Sequence, residues 1–415
     1  MQKKRHPGED YDTANLHRVI SLPMLVLYGL GMMIGAGIYV LIGATAADAG
    51  LYAPLSFIFA GAIASLTAGS YAELASRYPV SAGEAAYMDA AFGIKHLALL
   101  TGLAIAIGAT IASALLIKGG AGYLAHLLPF ARDTMAPFIT LLIGSIAMWG
   151  IKQSISVAAS LTLLEISGLL IIVFAGIFWT SGETDIASMP YPPLDGDAIT
   201  GILSASLLAF FAFTGFQDIV NIAEEVKDPK RNIPLALAIT LVVTIILYVA
   251  VAQVAINTVP IEELNKTNAP LTLVFERATG LGGKVVSAIA VAAVLNGALI
   301  HFVMASRVLF GLSRMGALPK RLGTVYKPTG TPLMATFAIA GLTLVWVFVL
   351  PFRELAETTS SMALLGFALV NAALIRIKLN TPAQEGAVIM PFWVPVLGVG
   401  STLGLLIYVT IDKFF

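Results

Sequence analysis

Glu165 lies within Leu163-Leu-Glu-Ile166, about twelve residues into an apolar run. At 1.5 Å per residue that is about 18 Å along a helix from its start. A carboxyl at such depth costs a few kcal/mol in lipid and is a functional candidate by default. It is a candidate ion-coupling group: it carries a proton, or it balances a sodium ion held by carbonyls of the first span and by Asn296. Two other places break the apolar pattern with glycine, at Gly35-Ala36-Gly37 and at Phe213-Thr214-Gly215. Glycine costs about 1 kcal/mol relative to alanine inside a helix, so both mark breaks in their spans. A broken helix in hydrocarbon must turn its freed backbone groups toward protein, ligand or a wet cavity. The amides around Ala36 and Gly37 open a half-helix and form an anion site. The carbonyls of Met33 and Ile34, with those of Phe211, Ala212 and Thr214, suit a primary ammonium. An anion site beside a cation site fits a zwitterion such as an amino acid, and Gly35, Gly37 and Gly215 let the main chain approach it without a β-carbon in the way.

The elements that hold these residues follow from composition. Of 415 residues, 58% are apolar and 12% charged, about half the charge of a soluble domain. Three soluble domains could not be covered with so few charges, so the chain is an all-α polytopic membrane protein. A bilayer-crossing helix needs about 20 apolar residues, and eleven segments qualify: 21–47, 53–76, 97–118, 134–151, 154–178, 198–225, 233–255, 284–307, 332–350, 355–377 and 388–411. Alternate loops place 17 of the 24 Lys and Arg residues on the side of the N-terminus. The N-terminus is therefore expected in the cytoplasm and the C-terminus outside a cell (inner) membrane. The breaks fall in spans one and six, equivalent members of two five-span halves, and an odd repeat length forces the second half to be inverted. Paired broken helices in inverted halves point to a transport site at the bilayer midplane. The expected organisation is a tail over 1–20, a first repeat over 21–178, a second over 198–377 and an added span over 388–415.

Five motifs carry a resemblance. Gly29-Leu-Gly-Met-Met-Ile-Gly-Ala-Gly-Ile-Tyr39, Tyr78-Pro-Val-Ser-Ala-Gly-Glu-Ala-Ala-Tyr87, Phe211-Ala-Phe-Thr-Gly-Phe-Gln217, Ala223-Glu-Glu-Val-Lys-Asp-Pro-Lys-Arg-Asn-Ile-Pro234 and Ser306-Arg with Gly316-Ala-Leu-Pro-Lys320 resemble the amino acid–polyamine–organocation (APC) transporters. The resemblance implies a LeuT-like five-plus-five core and alternating access. It also implies substrate carboxylate on the Gly-x-Gly amides, substrate ammonium on the sixth-span carbonyls, and Phe211 as a gate. Several proton-using members carry lysine where this sequence has Glu165, so that lysine's role does not transfer.

Other ionisable groups read as structural. Asp218, one turn past Thr214, either lines the cytoplasmic exit or bonds a partner helix, and the structural role is favoured. Glu73 reads as an interface group and His301 as a satisfied interior histidine. Glu224 and Glu225, before Lys227, Lys230 and Arg231, read as solvated charge or as an inner latch. Phe211 and the small residues around Ser204, Ser206 and Ala209 favour a neutral amino acid.

Enzyme, metal and nucleotide motifs are missing. Gly29-x-Gly31 lies in hydrocarbon, away from any strand–turn setting, and no P-loop sequence occurs. The five histidines do not fall at metal-ligand spacing, and the chain has no cysteine, which excludes thiolate sites and disulfide-linked subunits. No cofactor is expected beyond a coupling H+ or Na+. Formal net charge is zero and the scattered bases suit topology, so the partners are a small amino acid and membrane lipid, not nucleic acid. The expected function is proton-coupled amino acid symport. The alternatives are an amino acid/amine exchanger, a sodium-coupled carrier, and a non-transporting sensor of the same fold.

Overall fold

The computed structural model describes residues 18, 20–34, 37–80, 83–127, 132–149, 154–178, 195–314, 318–324, 326, 332–382 and 386–414. Among the described residues the regular structure is helical. The first span is two helices, α1 (Leu22–Ile34) and α2 (Gly37–Ala49). Pro54, near the start, pre-sets the dihedral of α3 (Ala53–Arg77). A short helix, α4 (Gly83–Phe92), leads into α5 (Lys95–Leu127), α6 (Arg132–Trp149) and α7 (Ser154–Phe178).

The chain continues beyond α7 with a further series of helices. The side chain of Asp195 caps α8 (Gly196–Phe213) by accepting from the Ala198 amide at 3.0 Å. After a break, a 3-10 segment runs over Phe216–Glu225. Then come α9 (Pro229–Thr258), two short helices α10 (Ile261–Lys266) and α11 (Pro270–Thr279), α12 (Lys284–Arg314), α13 (Leu333–Val349) and α14 (Phe352–Asn380). A last helix, α15 (Trp393–Phe414), lies against α14. Each expected span coincides with a helix or a broken pair. The short helices α4, α10 and α11 were not expected, and α5 runs nine residues past the expected end of its span.

Among the described residues, seven helical stretches are long and apolar enough to cross a membrane, the first of them Leu22–Arg77, and three further apolar helices are shorter. Phe138, Leu141, Phe174, Ile246 and Phe348 are large apolar residues left exposed on the outside. An apolar belt of this kind suits hydrocarbon. Inside, α5 packs on α12, α3 on α9, α2 on α8 and α6 on α13.

Each face of the bundle is tied by its own chemistry. On the face that carries Ile20, residues Ile20 and Val226 form a parallel bridge and the Lys227 amide donates to the Ile20 carbonyl at 2.9 Å. On the same face, fully buried Glu73 accepts from Arg77 at 2.6 Å, Lys378 at 2.6 Å and the Met390 amide at 2.8 Å. Glu73 is thus the interface group expected, holding α3, α14 and the approach to α15 together. On the opposite face Arg353, in the first turn of α14, grips Asp48 near the end of α2 through two nitrogens at 3.0 and 2.7 Å, and bonds Glu357 at 2.7 Å.

Candidate functional site

The two breaks lie against each other. Helix α8 ends because Thr214 is extended and Gly215 takes φ +118°, a region that excludes ordinary side chains. A β-carbon on Gly215 would sit 2.9 Å from the Met32 carbonyl oxygen of α1. A β-carbon on Gly37, the first residue of α2, would sit 2.8 Å from Cα of Ala212. Both glycines therefore permit close approach of one main chain to another. Gly35 and Ala36 lie outside the described residues.

One side chain joins the breaks. Tyr248, fully buried in α9, places its hydroxyl 2.5 Å from the Met33 carbonyl and 3.0 Å from the Ala212 carbonyl, each as an acceptor. The Thr214 hydroxyl and amide both donate to the Phe211 carbonyl, at 2.7 and 2.9 Å. The carbonyls of Met33, Phe211 and Ala212 were expected to be open for an ammonium. Each already accepts at least one bond from a described residue, so none is a bare acceptor. Ile34 closes α1, fully buried, and the Phe211 ring is 4% exposed. The Ser206 hydroxyl, expected near the ligand, donates to the Ile202 carbonyl of its own helix at 2.6 Å, and that of Ser204 faces Asp48 at 3.5 Å.

Glu165 is fully buried near the middle of α7 and Asn296 comes to it from α12, its amide donating to Oε1 at 3.0 Å. The other oxygen, Oε2, has no hydrogen-bond partner. The structure thus joins the two residues singled out for ion coupling, which are 131 positions apart. It also wires them to the breaks. The Tyr39 hydroxyl of α2 donates to the Glu165 main-chain carbonyl at 2.9 Å, and the Tyr123 hydroxyl donates to the Tyr39 carbonyl at 2.6 Å. Glu165 lies within electrostatic reach of Tyr248 as well.

His301 is an interior histidine whose Nδ1 meets the Gly297 carbonyl at 2.8 Å, as expected. Asp218 departs from expectation. It is buried, yet neither carboxyl oxygen has a hydrogen-bond partner. The side chains of Glu224 and Glu225 lie outside the described residues. No group of three or more His, Asp or Glu able to hold a metal occurs among the described residues.

Sequence reasoning missed Tyr248, Tyr39 and Tyr123. A phenol in the middle of an apolar span was the available signal, since a buried hydroxyl must find a partner.

Comparison with known proteins follows the same lines. A family model for amino acid permeases matches residues 20–412. The vacuolar cationic amino acid transporter 4 of Arabidopsis thaliana is 29% identical over 396 residues, covering 88% of this chain and 64% of its own. The branched-chain amino acid permease BcaP of Bacillus subtilis (strain 168) is 29% identical over 392 residues, covering 89% and 82%. The methylthioribose transporter of the same organism is 28% identical over 412 residues, covering 94% and 88%. The chain therefore spans less than two thirds of the length of the plant relative.

Proposed function

Because the chain belongs to the amino acid permease family, a family of carriers rather than enzymes, we propose that it moves an amino acid across a cell membrane by alternating access. The observation that carries this reading is the Tyr248 hydroxyl, set between the Met33 and Ala212 carbonyls of two facing helix breaks. The substrate carboxylate binds the amides around Gly35, Ala36 and Gly37, and the ammonium binds the carbonyls of Met33, Ile34, Phe211, Ala212 and Thr214, with Phe211 as gate. The driving ion is a proton on Glu165, whose second oxygen has no partner and whose first is held by Asn296. The substrate is a neutral amino acid.

The inverted repeat is part of the proposal. In each half a broken span precedes a long helix and one or two short ones. Then follow helices of 33, 18 and 25 residues in the first half and 31, 17 and 29 in the second. Three would-be equivalent pairs, α3 with α9, α5 with α12 and α6 with α13, pack on each other, as elements near a two-fold axis do. The repeats run over 21–178 and 198–377, with 388–415 as an added span. The charge bias places the Ile20 face in the cytoplasm and the Asp48 face outside.

The test is uptake into proteoliposomes of labelled neutral, cationic and acidic amino acids, with a pH gradient, a sodium gradient or neither. A pH gradient is expected to concentrate a neutral amino acid. Concentration by sodium alone would replace the proton, and no uptake or exchange of any amino acid would overturn the reading.

A further inference from the structure

A second pair of buried acids lies away from the Glu165 site, between the breaks and the Ile20 face. Asp218 is three residues past Gly215 on the 3-10 segment and 2% exposed. Glu84 is on the short helix α4 and 6% exposed. The two lie within electrostatic reach of each other and of Tyr71. The Tyr71 hydroxyl donates to Oε1 of Glu84 at 3.0 Å. Both oxygens of Asp218, and the fully buried hydroxyl of Tyr87, have no hydrogen-bond partner. Around them is an aromatic plug: the Tyr71 ring meets Tyr87 at 6.3 Å, Phe216 at 5.7 Å and Phe367 at 5.8 Å, and Phe210 packs on Phe367 at 5.7 Å.

No base pairs with these acids among the described residues. On α3, Arg77 is bound to Glu73, which also binds Lys378 of α14. Arg376 of α14 donates to the Ala91 carbonyl and covers the Phe92 ring. Lys230 and Arg231 of α9, Asp89 of α4, and Lys95 and His96 of α5 are exposed. Helix α1 carries no acid or base. On the 3-10 segment itself Glu224 and Glu225 are acids, with side chains outside the described residues. An ionised carboxylate buried without a cation is unfavourable, and of two acids within electrostatic reach each disfavours ionisation of the other. Burial pushes the Glu84 carboxyl up from its ordinary value, against its own backbone bond and the Tyr71 hydroxyl, which lower it.

We propose that Glu84 and Asp218 form an inner proton site that is loaded while the aromatic plug is closed and discharges to the cytoplasm when the plug opens. The proton is taken from cytoplasmic water as the plug closes and returned to it when the freed carboxylates are hydrated. The inference rests on the orientation proposed above and is separate from the coupling assigned to Glu165. Its sign is fixed: the closed plug holds more protons than the open one, so raising cytoplasmic pH favours opening and lowering it favours closure.

Since the chain has no cysteine, one introduced thiol reports the plug without background. Ala223→Cys places it at a buried site of the 3-10 segment, and Thr324→Cys supplies an exposed control. Inside-out vesicles are labelled with an impermeant maleimide at a series of pH values, and the rate is divided by that of the control to remove the thiol's own titration. The ratio is expected to rise with pH, by up to about tenfold per unit while one proton is linked to opening. In the Glu84→Gln, Asp218→Asn background it is expected to be flat, and Asp218→Glu is expected to restore the slope. An unchanged slope in the double variant overturns the proposal, as does a flat ratio in the parent. If the double variant does not fold, Glu84→Gln alone decides by the same criterion. Labelling needs no substrate, so a chain that transports no amino acid but keeps the slope overturns the proposed function and leaves the proton site standing.

Discussion

The Tyr248 hydroxyl sits 2.5 Å from the carbonyl of Met33, across 215 positions of sequence, and 3.0 Å from that of Ala212. One phenol therefore ties the end of α1 to the end of α8 at the level where both spans break. Its single proton lies between two acceptors, one from each broken span.

Tyr248→Phe removes that proton and leaves both carbonyls short of a donor in a buried setting. Stability is expected to fall by about 1–3 kcal/mol. Thermal unfolding in detergent measures the first effect and proteoliposome uptake the second, an expected loss of transport. Full uptake by a less stable variant would show the phenol to be structural alone.

Glu165→Gln keeps the shape and the Asn296 contact but cannot exchange a proton. Downhill movement of amino acid is expected to persist, while accumulation driven by an imposed pH gradient disappears. Parallel uptake assays with and without the gradient separate the two, and accumulation equal to the parent's would sink the coupling role.

Gly37→Ala directs a methyl group at Cα of Ala212 only 2.8 Å away, where backbone rather than a movable side chain stands. Overpacking of this kind costs about 1–3 kcal/mol, and here it also parts the two half-helices, so transport is expected to fall with stability. Gly311→Ala is the control, because a β-carbon there meets nothing within 4 Å. Circular dichroism melts and uptake on both variants check the contrast.

Glu73→Gln strips the compensating charge from Arg77 and Lys378, whose side chains are 2% and 9% exposed. Breaking a buried ion-pair group from one side costs about 3–5 kcal/mol, so this variant is expected to be among the least stable. By contrast Arg353→Ala breaks a pair whose arginine is half exposed, and about 0–1 kcal/mol is expected. Unfolding midpoints at low and high salt distinguish them, the second effect shrinking with salt.

The apolar runs made the spans legible, and glycines marked the breaks, because both are local properties of a chain in lipid. Glu165 and Asn296 were legible as polar residues out of place, although nothing in sequence fixed the 3.0 Å bond between them. The bridge from Tyr248 was not legible, since its acceptors are main-chain atoms that any residue supplies. Glu84 was passed over because it lies between two expected spans, where an acid is ordinarily solvated; only the fold packs α4 inward. Helices α10 and α11 were missed because six and ten residues are too few for a periodic pattern to register.

The bridge between Ile20 and Val226, with the Lys227 amide on the Ile20 carbonyl, is made of main chain alone. Alanine at these positions keeps the hydrogen bond itself, and any loss it causes comes from the buried Ile20 and Val226 side chains. Only a residue with no amide hydrogen removes the donor, so Lys227→Pro is the substitution that would let the first and sixth spans come apart at this end.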